Sequence, residues 1–331
     1  MQSEEVFVAQ MNGRAVLVAP GVYEVKLASG ERIRVGFGED ARRYDQARLR
    51  RELREAKAAP DENETIRAER LRTLAEGGYN PVIAIGFIYS DSAAKVAKEY
   101  PDTKFAVIDG FTPEVPDNLT HLVFAEEQGS YLVGVAAALK TKAKHVGFVG
   151  GTHGDLIKKF EAGYTAGVKS VDPSIKIDVQ YLTENPDDGE AGFENPTGGK
   201  DAATAMYEAG ADIVYHAAGK SGIGLFEAAE AAGDGHWAIG VDSDQYLTAS
   251  DSQKPFILTS MLKRIDTAVF DYIKSVDDGK VASGNVTYDL ASNGVGYSTS
   301  GGFVDDIKDQ IDAAAEQIKS GEVKVPTAPA N

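Results

Sequence analysis

The sequence predicts an α/β protein with two doubly wound parallel-sheet lobes and a β-rich N-terminal addition, and three observations carry that prediction. From residue 63 onward, apolar runs of strand length alternate with helical patterns, the order that produces parallel sheets covered on both faces. The helical patterns, ETIRAERLRTLAEGG and GDLIKKFEAGYTAGVKSV among them, end in Gly or small residues, as helix stops do. A weak internal repeat relates LAEGGYNPVIAIGF, a helix and KFAVIDG to MYEAGADIVYHAAG, a helix and HWAIGVD.

Residues 1–54 stand apart in composition. They hold nine of the thirteen arginines and carry ten basic against eight acidic side chains, whereas the remainder carries 24 basic against 43 acidic. RAVLVAP, VYEVKLA and ERIRVGF, separated by PG and SG turn signals, predict a small β-meander, and ARRYDQARLRRELREAK a charged helix. The strands expected next are VIAIGF (82–87), KFAVID (104–109), LTHLVFA (119–125), HVGFVG (145–150), IKIDVQYL (175–182), DIVYHA (212–217), HWAIGVD (236–242) and FILTSM (256–261). In the repeat, Asn80 and Asp109 are 29 residues apart and Asp212 and Asp242 are 30 apart, so each copy closes its second strand on an aspartate. Ligands of open α/β sheets bind outside the carboxyl ends of strands. That places Asp109, Asp242 and the turn GKSG, with Gly219 and Gly222, on an expected cleft shared by two lobes.

Composition narrows the function classes. A chain of 331 residues that is 43% hydrophobic can bury a large core. No apolar run in the sequence is long enough to cross a bilayer. MQSEEVFVAQ has neither the basic start nor the apolar stretch of a signal peptide, so any export signal is expected to be absent or removed. With no cysteine, disulfides, thiol catalysis and Cys-type zinc sites are excluded. A net charge of −17 argues against nonspecific nucleic-acid binding.

The stretch DIVYHAAGKSGIGLFEAAEAAG comes within one residue of three motifs. A phosphate-binding loop needs Gly where Val214 stands, a dinucleotide fingerprint starting at Gly222 needs Gly in place of Glu227, and a nucleophile elbow around Ser221 needs Gly in place of Ile223. The histidines, at 121, 145, 153, 216 and 236, show no metal spacing, and His216 reads as a core or cleft residue. Neither a cofactor motif nor a nucleophile paired with a base is present, so no catalytic residue, metal or cofactor is expected.

From about residue 60, the chain resembles the basic membrane protein family of substrate-binding lipoproteins, in particular its purine-nucleoside receptors. The resemblance rests on EGGYNPVIAIGF, AKEYPDTKFAVIDG, FAEEQGSYLVGVAAAL, VGFVGG with KKFEAGYTAGV, GADIVYHAAGKSGIGLFEAA, IGVDSDQ and LTSMLKRIDTAVFD, in family order. It implies a type I periplasmic-binding-protein fold with three crossovers, one lobe at 55–124 plus 255–291 and the other at 125–254 plus 292–331. It implies a purine nucleoside as ligand, ABC transporter membrane subunits as partners, no nucleic acid, and an extracytoplasmic, membrane-associated location, although the lipid-bearing cysteine of the family has no counterpart here.

The resemblance also implies site residues. Asp242 in IGVDSDQ stands where the family holds the ribose hydroxyls with a carboxylate, and Lys263 in SMLKRID where a lysine reaches the same sugar. A carboxylate accepts from two vicinal hydroxyls at once, and a nearby ammonium adds a donor. Tyr215 stands where an aromatic ring stacks on the base, and Glu126 where an acidic group accepts from base N–H groups. Gly219 and Gly222 permit close backbone approach. The turn then reads as a sugar-side cleft wall with no phosphate to bind.

The chain departs from the family at its beginning. The family's first strand ends in Asp-x-Gly and precedes Asp-x-Ser-Phe-Asn, whose Phe is the second face of the base sandwich. Here the place holds IRVGFGEDARRYDQARLRREL, with Tyr44 and Asp45 as remote substitutes and IRVGFG as the candidate for the first strand's place. Loss of one stacking partner predicts affinity weaker by roughly 10- to 100-fold. Three functions stay open on the sequence: a nucleoside receptor, a nucleoside- or sugar-processing enzyme, and a ligand-sensing regulator using the arginine-rich segment 41–54.

Overall fold

The computed structural model describes three short strands near the N-terminus and residues 64–330. The N-terminal strands are β1 (Ala15–Ala19), β2 (Val22–Lys26) and β3 (Arg32–Gly36), paired antiparallel in that order as a sheet of their own. This is the expected meander. The expected helix after it lies outside the described residues, as do Tyr44 and Asp45. β3 pairs within this small sheet, so IRVG does not take the place of a first strand in either large sheet.

The described residues fall into two units, one running up to Val123 and adding Ile265–Thr287, the other comprising Phe124–Arg264 and the chain from Tyr288. The chain therefore passes between units three times. In unit 1, α1 (Glu64–Glu76), β4 (Val82–Ile85), α2 (Ser90–Glu99), β5 (Phe105–Ile108) and β6 (Leu119–Phe124) follow one another, with β4, β5 and β6 pairing in parallel. The helices turn Ala68, Leu71 and Ala75, and Ala93, Val96 and Ala97, into one apolar cluster with Val82, Phe105 and Leu119. These are the 3- and 4-residue spacings that put side chains on one helix face.

Unit 2 continues with α3 (Glu126–Lys140), β7 (His145–Thr152), α4 (Asp155–Val171), β8 (Lys176–Thr183), α5 (Gly189–Phe193), α6 (Pro196–Glu208), β9 (Ile213–Ala217), α7 (Ile223–Ala232), β10 (Trp237–Gly240) and β11 (Ile257–Lys263). After α8 (Ile265–Asp277) in unit 1, β12 (Gly284–Tyr288) joins the first sheet, and β13 (Val295–Tyr297) and α9 (Lys308–Lys319) complete unit 2. The sheets run β12-β6-β5-β4 and β13-β11-β10-β9-β7-β8, the latter parallel except for β13. β7 and β9 are buried along their whole lengths, as continuous apolar strands in a covered parallel sheet should be.

All three expected boundaries move, the first and third by a few residues and the second by ten. The resemblance places residues 255–264 in the first lobe, but β11 pairs in parallel with β10 and antiparallel with β13, so the second crossing falls after Arg264. Lys263 is consequently the last residue of a core strand.

Candidate functional site

The site residues of unit 2 gather at the carboxyl ends of β9, β10 and β11 and at the start of α3. Asp242 follows β10 in the left-handed region, φ +64°, with its side chain exposed. Left-handed backbone is disfavoured for side-chain-bearing residues, and Asp tolerates it better than most. Its carbonyl accepts from the Lys263 N–H at 2.9 Å, which extends the β10–β11 ladder beyond Gly240 and Ser260. Gln245 fixes the loop beyond: its Oε1 accepts from the Val241 N–H at 2.7 Å and lies 3.0 Å from His216 Nε2. An amide oxygen only accepts, so His216 carries its proton on Nε2. Burial pushes the His216 imidazole down to about 4.

Lys263 is almost wholly enclosed, its side chain 4% exposed, with Nζ 3.5 Å from Glu126 Oε1 and lying over the rings of Phe124 and Phe160 at 5.2 and 5.8 Å from their centroids. Aromatic faces and a carboxylate together make such a place tolerable for an ammonium. Glu126 opens α3, where the helix dipole favours a negative charge. Its other oxygen, Oε2, lies 3.2 Å from Lys159 Nζ on α4. Both carboxylate oxygens thus face ammonium groups in a buried setting, so the expected role of Glu126 as acceptor for base N–H groups gives way to ion pairing.

Tyr215 is also corrected. Its side chain is fully buried, with the ring centroid 5.1 Å from that of Tyr164 and 5.6 Å from that of Phe148, and its hydroxyl 3.1 Å from Ser130 Oγ. A ring enclosed in this way is core and has no face left for a base. Burial, followed by the charges of Asp242 and Glu126, raises its phenol well above the usual range, so it stays neutral.

A partly exposed aromatic ring beside the turn, Phe193, is one the sequence reading passed over. Phe193 ends α5, half-buried, and packs against two glycines: a methyl group on Gly151 would meet its ring at 2.4 Å, and one on Gly219 its Cβ at 3.3 Å. Ser221 locks this corner, donating to the Gly192 carbonyl and accepting from the Asn195 N–H, each at 2.9 Å. Ser221 is thereby a structural hydroxyl. Gly219 is exposed with φ +53°, the conformation that lets the turn lie flat beside Phe193. Gly222 answers to a different demand, since any Cβ there would sit 1.9 Å from the His216 ring; close approach to ligand is not its reason.

Asp109 belongs to unit 1. It follows β5 as Asp242 follows β10, half-buried with φ +60°, and its N–H donates to the Leu122 carbonyl at 2.9 Å. Among the described residues no group of three or more His, Cys, Asp or Glu side chains is placed to hold a metal ion.

A sheet-end aspartate beside a caged lysine suits a polyhydroxylated ligand, and comparison with known proteins supplies the family. Residues 41–328 match the Bmp family model, described as ABC transporter substrate-binding protein PnrA-like. The chain belongs to the Bmp family. Bmp relatives include the ABC transporter nucleoside-binding protein BmpA of Lactococcus lactis subsp. cremoris, 37% identical over 76% of this chain and 72% of that one. Basic membrane protein A of Borreliella afzelii is 33% identical over 77% of each chain. The solved ABC transporter system solute-binding protein from Aeropyrum pernix K1 superimposes with a TM-score of 0.67 at 26% identity, over 82% of this chain and 84% of that one. The fold is that of the solute-binding proteins of ABC transporters, and the family takes small-molecule ligands to transporter membrane subunits. Among the described residues no helix is long and apolar enough to cross a membrane.

Proposed function

We propose that this Bmp-family protein binds purine nucleosides outside the cytoplasm and delivers them to the membrane subunits of an ABC-type importer. The observation that carries the reading is the backbone bond joining Asp242 to Lys263 at adjacent strand ends. Asp242 contributes an exposed carboxylate, able to accept from both hydroxyls of a vicinal diol, and Lys263 on the next strand an ammonium to add a donor to the same sugar. Phe193, half-buried and packed against Gly151 and Gly219, puts an aromatic side chain beside the turn after β9, and stacking of a base on such a ring contributes roughly 1 to 3 kcal/mol. Tyr215 supports this site from the core. The nucleoside-binding relative from Lactococcus lactis favours the same ligand class. The family of transporter binding proteins favours a receptor over the enzyme and regulator readings.

Calorimetric titration with adenosine, guanosine, inosine, uridine and ribose tests the assignment. Purine nucleosides should bind above uridine and far above free ribose. An equal response to all five compounds would defeat it.

A further inference from the structure

Asp242 stands at the centre of a tight backbone turn, and a side chain from three residues further on holds that turn. The Ser243 N–H donates to the Val241 carbonyl at 2.7 Å, bridging Asp242, whose φ is +64°. A three-residue turn with a positive φ at its centre is the rare and strained form of the γ-turn. Such a conformation persists only where its surroundings over-determine it. We propose that Gln245, seated by Ser260 and His216, is a positioning residue that fixes this turn and with it the backbone from which Asp242 meets the ligand diol. This deepens the nucleoside reading and rests on it.

The turn is tethered on both sides of the Asp242 Cα. Before it, the Val241 N–H donates to Gln245 Oε1 at 2.7 Å; after it, the Asp242 carbonyl accepts from the Lys263 N–H at 2.9 Å. The second tether belongs to the sheet, whereas the first depends on one side chain. Gln245 is itself fastened through its main chain, its N–H donating to Ser260 Oγ on β11 at 3.1 Å and its carbonyl accepting from the Ala249 N–H at 2.9 Å. Its side-chain oxygen has a second donor, His216 Nε2 on β9, at 3.0 Å. An amide oxygen has two lone pairs and accepts from both. One atom thus ties the end of β9 to the end of β10.

Two glycines leave room for this bracket. A Cβ on Gly240, the last residue of β10, would lie 2.5 Å from Ser260 Oγ and 2.7 Å from Gln245 Oε1, the two atoms that receive the tethering bonds. A Cβ on Gly222 would strike the His216 ring, so the imidazole is held from the side of the GKSG turn. With the acceptor at 245 removed, the Val241 and His216 N–H groups lose their partner and the strained turn loses the bond that opposes its relaxation. Holding two vicinal hydroxyls on one carboxylate demands a fixed orientation, so the diol contribution to binding is the quantity that such relaxation would erode.

The test is the affinity ratio between inosine and 2′,3′-dideoxyinosine, which isolates the diol contribution and which a general loss of folding leaves unchanged. In the unmodified protein inosine should bind at least about thirtyfold tighter. Gln245→Met keeps the length of the side chain without its acceptor, and the ratio should fall to within about threefold of unity while dideoxyinosine affinity is kept. Gln245→Glu restores an oxygen that accepts from both N–H groups, and its ratio should stay within about threefold of the unmodified value. Parallel weakening of both ligands with an unchanged ratio in Gln245→Met would overturn the proposal and make Gln245 a purely structural residue, and a ratio lost equally in Gln245→Glu would overturn the acceptor role. Should Gln245→Met not fold, Ser260→Ala decides alone, and an unaltered ratio in that variant overturns the proposal. Absence of nucleoside binding in the unmodified protein would remove the receptor reading together with this proposal, and is distinguished by appearing before any substitution.

Discussion

The strand pairs β4–β5 and β9–β10 are two renderings of one backbone design with different surroundings. Each is parallel, and each is followed by an aspartate in left-handed conformation, Asp109 at φ +60° and Asp242 at φ +64°. In unit 1 the neighbouring strand and loop positions expose apolar side chains, Ile85 at 64% and Phe111 at 74%. In unit 2 the same end of the sheet has Lys263 enclosed beside Glu126, and Phe193 half-buried against Gly151 and Gly219. Backbone geometry is therefore common to the two units, and what differs is the set of side chains that adjacent strands and helices bring to the strand end.

The largest expected effect breaks the comparison at that point. On the proposed nucleoside reading, Asp242→Ala removes the charged acceptor for the sugar and should weaken inosine binding by about a hundredfold or more in calorimetric titration. A change of less than about threefold would show that the carboxylate is not a ligand contact.

Each unit also buries a histidine completely, His121 and His216. Burial lowers the pKa of both His121 in unit 1 and His216 in unit 2, the latter to about 4. A histidine of ordinary pKa, near 6.5, takes up its proton in the unfolded chain first, so acid favours unfolding between about pH 6.5 and 4. The stability contribution is present above pH 6.5 and lost as pH falls towards 4, by about 3 kcal/mol for His216. Thermal melts from pH 7 to 4.5 should show this fall, and His216→Asn should flatten most of it. A slope unchanged in that variant would count against a buried neutral imidazole.

The helix pairs provide a third contrast. α1 and α2 meet through alanine, valine and leucine side chains, whereas α3 and α4 meet through glycines at backbone contact. Gly163→Ala should therefore destabilise the protein by about 2 kcal/mol in urea melts, since the carbonyl it strikes is held in a helix. Ala97→Gly in unit 1 should cost about 1 kcal/mol, from helix propensity and lost packing. Equal costs at the two positions would contradict the close approach of α3 to α4.

What was legible in the sequence follows the same division. The eight strands expected after residue 63 all form, most of them because a strand covered on both faces needs a continuous apolar run that is visible in one dimension, whereas β8 at the sheet edge is only partly covered. β12 and β13 left no such trace: GNVTY is largely exposed and VGY is three residues long. The strand-end aspartates were legible because the repeat marked them. Tyr215 was misread because an aromatic residue on a buried strand has the same spacing whether its ring meets a ligand or Phe148 and Tyr164. Phe193 and Lys159 were missed because their roles depend on contacts distant in sequence, Phe193 with Gly151 and Gly219, Lys159 with Glu126 thirty-three residues away. The paired glycines at 150–151 and at 163 and 167 were the available signal. Such glycines announce a close approach without naming what approaches.

The smallest expected effect separates backbone strain from side-chain function at the two aspartates. Alanine has neither the short polar side chain that eases left-handed backbone nor the freedom of glycine, and at φ near +60° it costs about 1 kcal/mol more than glycine. Asp242→Ala should accordingly melt below Asp242→Gly, while the two variants lose inosine affinity to the same extent because both lack the carboxylate. Asp109→Ala and Asp109→Gly should differ in stability by the same amount if the strand ends share one backbone design. A stability gap at only one of the two positions would mean that the left-handed turn is held by its surroundings in one unit and by the aspartate itself in the other. Unequal affinity losses between Asp242→Ala and Asp242→Gly would assign part of the binding to the backbone of the β10–β11 step, with the carboxylate supplying only the remainder.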